Sequence, residues 1–181
     1  MFQKESHAIA LFPGGFGTHD EGFEIMTLVQ TGKSDPKPIV CLQAPGCDYW
    51  DHWNSFITDQ LLKRRLINAE DLALFTIVDN VEDAVTEIRT FYRRYHSLRF
   101  VGRQLAIWLK TPLSAAQVEE VQQQFSDMLT EGTFEQRPSL PEEIDEPGLK
   151  DLARLTFSFN RRNAGRLRQL INHLNQLPST A

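Results

Sequence analysis

Short apolar runs alternate with amphipathic stretches from residue 7 to residue 96. "HAIALF" (His7–Phe12) is a continuous apolar run that stops at Pro13, the pattern of a strand buried on both faces. In "EGFEIMTLVQT", Phe23, Met26, Leu28 and Val29 share a broad apolar face. That spacing predicts a helix over Glu21–Thr31, with Gly32 as its stop. "IVCL" (Ile39–Leu42) predicts a second buried strand, and "QAPGCD" a turn that offers Asp48 as an N-cap. Trp50, Trp53, Phe56, Ile57 and Leu61 then recur at helical spacing. "LALFTIVD" (Leu72–Asp79) predicts a third strand, and "NVEDAVTEIRTFYRRY" a third helix with Val81, Ala84, Val85 and Ile88 on one face. Strand and helix alternating three times implies an α/β fold, with a parallel sheet and crossover helices on both faces. Three strands are few for such a sheet, which points to further sheet upstream.

The pattern changes near His96. "RFVGRQLAIWLKTP" predicts one longer strand, and "SAAQVEEVQQQFSDML" a helix capped by Ser114. "TFEQRPSLPEEIDEPG" is Pro-rich and acidic and predicts a loop. "LARLTFSF" predicts a strand, and "NRRNAGRLRQLINHLN" a final helix. The expected division is residues 1–97 as a partial α/β domain and 98–181 as a small strand–helix–strand–helix α+β appendage.

Bulk properties narrow the class. The 181 residues are 41% hydrophobic and 24% charged, values of an ordinary globular chain. A formal charge of −5 argues against a general nucleic-acid or membrane-surface binder. Two cysteines, Cys41 and Cys47, make no disulfide framework, and a cytoplasmic setting is expected. No stretch approaches the roughly 20 apolar residues of a membrane span.

Chemistry concentrates in "PGGFGTHDEGFE" (Pro13–Glu24), between the first strand and the first helix. A glycine-rich strand-to-helix turn presents unpaired N–H groups and the positive end of a helix dipole, a site for anions and above all phosphate. No G-x-x-x-x-G-K-[ST] is present, and Asp20 stands where a dinucleotide fingerprint needs its third glycine. A local reading stays open beside this one. Thr18 and Glu21 have capping-box spacing, and Gly14, Gly15 and Gly17 could simply permit a tight turn.

The string as a whole resembles the P-G-G-x-G-T-x-x-E signature of the LOG (Lonely Guy) family, cytokinin riboside 5′-monophosphate phosphoribohydrolases often labelled lysine decarboxylase-like. Pro13, Gly14, Gly15, Gly17, Thr18 and Glu21 match it, and Glu24 follows. The similarity runs through "EIMTLVQTGK", "KPIVCL", "YWDHW" and "VDNVEDAV", about residues 1–96. It implies a Rossmann-like α/β fold, a homodimer, no cofactor and no metal. It also implies hydrolysis of a nucleoside 5′-monophosphate to free base and ribose 5-phosphate. Gly14, Gly15, Gly17 and Thr18 would hold the phosphate, and Glu21 and Glu24 would be catalytic. The family's Arg-Lys pair aligns before Met1, so the chain resembles a C-terminal part of the LOG fold. The alternative is a nucleotide-binding or dimer-forming fragment without turnover.

Other residues read more plainly. Cys41, Cys47 and His52 fit no standard zinc spacing and are expected to be structural. Lys33 lies in a predicted surface loop, a poor place for a Schiff-base lysine. His19 is expected at a pocket rim, and Trp50 and Trp53 in the core. Arg161, Arg162, Arg166 and Arg168 read as a solvated helix face, with a phosphate-bearing effector or nucleic acid as the sharper alternative.

Overall fold

All four residues of β2 (Ile39–Leu42) are buried, which is why "IVCL" shows no polar alternation. β2 lies between β1 (Ile9–Leu11) and β3 (Thr76–Val78), and both pairings are parallel. Helices cover the two faces of this sheet. Ile39 and Cys41 pack with Ile25 and Val29 of α1 (Phe16–Gln30) and with Trp50 and Trp53 of α2 (Tyr49–Phe56). Val40 and Leu42 pack on the other side with Ala84 and Ile88 of α3 (Val81–Phe91). This is the expected mixed α/β arrangement, a parallel three-stranded sheet flanked by helices. The computed structural model describes residues 6–137, 149 and 152–178. They fall into two compact units, Met1–Phe91 with Arg162–Gln169, and Tyr92–Arg161 with Leu170–Ala181.

Several boundaries differ from expectation. α1 begins at Phe16, five residues before Glu21, with Gly15 as its N-cap. Thr18 and Glu21 therefore lie inside the helix, and no side chain caps it, so their capping box does not form. The stop is where expected. Gly32 has φ +69°, and Lys33 N–H reaches the Leu28 carbonyl at 2.8 Å while Gly32 N–H reaches Val29 at 3.0 Å. These two bonds make a Schellman ending. Asp48 precedes α2 but does not cap it, and its carboxylate meets His52 at 3.1 Å instead. α2 continues as a π-helical stretch, Ile57–Leu62. The third strand is only Thr76–Val78, because Ala69–Leu74 forms a 3₁₀ segment. There Asp71 is held by Asn68 N–H and the Gln30 amide.

The second unit holds an antiparallel sheet in the order β4-β5-β7-β6. The single long strand expected near residue 100 is a hairpin, β4 (Tyr95–Val101) and β5 (Gln104–Leu109). Gly102 turns it with φ +60° while Arg103 stays at negative φ, the pattern of a type II′ loop. Ser114 caps α4 (Ala115–Phe125) in a capping box with Gln117. Glu135–Arg137, expected in a loop, forms the edge strand β6 against β7 (Ala153–Phe157). The remainder of that expected loop, 138–148, lies outside the described residues. Leu105–Leu109 of β5 are buried almost completely, as are Val121 and Phe125 of α4 and Leu170, Ile171 and Leu174 of the final helix α5 (Ala164–Gln176). Asn175 accepts from the N–H groups of Arg94 and Tyr95 at 2.8 and 2.9 Å. Among the described residues, no helix is long and apolar enough to cross a membrane.

Candidate functional site

Pro13–Gly17 are solvent-exposed where β1 hands over to α1. Thr18 N–H returns to the Gly15 carbonyl at 3.1 Å, and His19 N–H reaches the same oxygen at 3.4 Å. The N–H groups of Gly14, Gly15, Phe16 and Gly17 meet no acceptor among the described residues. They are the orphan donors of a helix start, at the carboxyl end of a parallel strand. Gly14 is required here by a close approach. A Cβ on it would lie 2.2 Å from the Thr18 hydroxyl, so any side chain would displace that hydroxyl from the loop.

The loop is tied down from outside. The Tyr49 hydroxyl donates to the Gly14 carbonyl at 2.5 Å and lies 2.8 Å from His19 Nε2. The phenol has one proton, and Gly14 takes it. His19 must then donate from Nε2 to the phenol oxygen. The two rings stack at 5.8 Å and 18°. The relay therefore runs from His19 through Tyr49 to the Gly14–Gly15 peptide, and polarising that carbonyl strengthens the Gly15 N–H as a donor. Tyr49 is itself placed by Gln43, whose Oε1 accepts from Trp50 N–H at 2.8 Å. The Gln43 amide also donates to Asp51 at 2.8 Å and Asp79 at 3.1 Å, joining the segments that follow β2 and β3. Sequence spacing could not find these partners.

Of the sequence-predicted residues, Gly14, Gly15, Gly17 and Thr18 lie together in the loop and first helical turn. Glu21 and Glu24 follow on the next turns, both exposed, with no hydrogen bond or ion pair among the described residues. Phe16, His19 and Phe23 occupy a different side of α1. With Tyr49, Trp53 and Phe56 they line an open, mostly apolar groove of about 750 Å³. His19 lines this groove and lies 2.8 Å from the Tyr49 hydroxyl. Trp50 and Trp53 are core, at 1% and 8% exposure. Cys41 is buried, and desolvation pushes its thiol up to about 12. Cys47 and His52 border the groove.

The arginines do not form one solvated face. Arg168 is 1% exposed, donates to Glu87 at 2.9 Å and to the Lys37 carbonyl at 2.8 Å, and covers the Phe91 ring at 4.5 Å. Lys33 is exposed, as expected. Lys37 is buried, its amine donates to the Ser6 carbonyl at 3.1 Å, and burial holds its pKa below the usual lysine range against the opposing pull of Asp35.

No curated protein matches the chain. A family model described as "possible lysine decarboxylase", the LOG-like family, matches residues 1–88. That stretch, which holds the parallel sheet, the glycine loop and both glutamates, is where the chain is similar to the LOG-like family.

Proposed function

We propose that residues 1–88 bind nucleoside 5′-monophosphates and hydrolyse their N-glycosidic bond, releasing free base and ribose 5-phosphate. The observation that carries this reading is the run of N–H groups from Gly14 to Gly17 that meet no acceptor among the described residues, in a LOG-like segment, with Glu21 and Glu24 on the turns that follow. The N–H groups and the Thr18 hydroxyl suit a dianionic phosphate. As the bond to the base breaks, positive charge grows on the ribose, and a carboxylate beside it stabilises that charge. Glu21 is assigned this role and the orientation of the attacking water, whose proton it accepts. Glu24 is assigned to the ribose hydroxyls. Decarboxylase chemistry finds no support among the described residues, because a pyridoxal-type cofactor needs a lysine in a cofactor pocket, and exposed Lys110 donates to the Tyr92 carbonyl. Lys33 is exposed, Lys63 pairs with Asp59 at the surface, and Lys37 is engaged with Ser6.

The test is chromatography of a panel of nucleoside 5′-monophosphates and the matching nucleosides after incubation with the chain. Base should be released from the monophosphates and not from the nucleosides. Release from both at equal rates would remove the phosphate site from the reading. One observation favours binding without turnover. Glu21 and Glu24 are open to water, where electrostatic stabilisation of a transition state is weak. That version predicts a rise in melting temperature with a nucleoside monophosphate and no product, and an unchanged melting temperature would sink it.

A further inference from the structure

A second cluster of polar groups lies in the antiparallel-sheet unit. Gly102 and Arg103 of the hairpin turn, Thr130, Glu131, Ser158 and Arg161 line a cavity of about 380 Å³. That volume falls in the range of small-molecule sites.

Its walls are fixed by backbone. Thr130 N–H donates to the Ser158 carbonyl at 2.9 Å, and Asn160 N–H to Met128 at 3.1 Å. A bridge joins Leu129 to Phe159 between them. The Phe159 ring stacks on Phe100 at 6.4 Å and 23°, and the Arg161 guanidinium covers Phe100 at 3.9 Å. Arg161 adopts this position at φ +58°, a left-handed conformation that is strained for a non-glycine residue. Stacking holds the guanidinium plane and leaves its N–H edge free for a ligand. Neither Arg103 nor Arg161 has a hydrogen bond or ion pair among the described residues. The Thr130 hydroxyl already donates to the Ser158 carbonyl at 3.3 Å, so the two unpaired cations and the Ser158 hydroxyl form the donor set for a phosphate. Glu131, the one carboxylate among the described lining residues, would repel a bare anion. It instead suits a ligand whose hydroxyls donate to it.

We propose that this cavity binds a small phosphorylated, hydroxyl-bearing molecule of the sugar-phosphate class, with Arg103 and Arg161 on the phosphate and Glu131 on a hydroxyl. The proposal does not depend on the catalytic reading of the glycine loop.

Calorimetric titration of the full chain with ribose 5-phosphate and with inorganic phosphate tests it. Arg103→Ala and Arg161→Gly serve as variants, the glycine being suited to the positive φ. Ribose 5-phosphate should bind at least tenfold more tightly than inorganic phosphate. Either variant should weaken this site about tenfold or more while circular dichroism stays unchanged. A Gly14→Val variant, which disturbs the other loop, should leave this site intact. Two sites in the wild-type chain and one in Arg161→Gly would support both loop and cavity. One site abolished by Arg161→Gly would support the cavity alone. Binding unchanged in both arginine variants, or no binding, would overturn the proposal. Equal affinity for inorganic phosphate would overturn the sugar-phosphate assignment.

Discussion

The phenol of Tyr49 reaches the Gly14 carbonyl across 35 residues of sequence, and it holds the loop by one short hydrogen bond. Tyr49→Phe keeps the ring stack on His19 and removes both polar contacts. It should cost about 1 kcal/mol in urea unfolding. Nucleoside monophosphate binding should weaken as well, while a nucleoside without phosphate should be unaffected. An equal effect on both ligands would make Tyr49 a packing residue only. The motif residues were legible because their order is local. Tyr49 and Gln43 were not, since their role depends on which strands become neighbours. The two cysteines also separate at this scale. Cys41 is buried with its thiol raised to about 12, and Cys47 is partly exposed. A thiol-reactive dye should titrate one cysteine in the native chain and two after denaturation. The raised thiol also sets a sign. The folded state keeps this proton longer than the unfolded chain, whose thiol ionises near 9.0. The stability it contributes is present below about pH 9 and lost as pH rises toward about 12. Unfolding midpoints should fall across that window.

At the scale of the element, sequence reading worked where the signal lies within one turn of chain. Ser114 with Gln117 caps α4, and Gly32 closes α1. It failed where a local signal imitated another. Thr18 and Glu21 have the spacing of a capping box, but the chain is already helical at Phe16. The turn is made by Gly14 and Gly15, and the low helix propensity of Gly17 hid the true start. "VGRQ" joins two apolar runs through a glycine-first two-residue loop, a legible hairpin signal that the continuous apolar character on either side obscured. Gly102→Val should cost about 1–2 kcal/mol, because a β-branched residue is strained at φ +60°. Denaturant unfolding checks it, and a neutral result would mean the turn relaxes. β6 carries no pattern of its own. All three of its residues are exposed, and only pairing with β7 defines it.

Over the whole molecule, charge pattern misled most at Arg168. It sits in a basic run, yet its guanidinium is buried between Glu87, the Lys37 carbonyl and the Phe91 ring. Only the tertiary fold supplies those partners. Arg168→Ala should destabilise by about 3–5 kcal/mol, and Arg168→Met should recover part of it by refilling the space. Exposed rings mark the surface beside the groove, with Phe16 at 96% and Phe56 at 49% exposure. We propose that a second copy of the chain covers this face, in the homodimer that the family resemblance implies. Sedimentation should show two copies for the wild-type chain and one for Phe16→Glu. The most direct measurement concerns the glutamate on the second turn of α1. Base release from adenosine 5′-monophosphate should be compared between the wild-type chain and Glu21→Gln, with binding of the nucleotide measured in both. The proposed chemistry predicts base from the wild type, a loss of at least a hundredfold in Glu21→Gln, and retained nucleotide binding. Equal release from the two chains would contradict it.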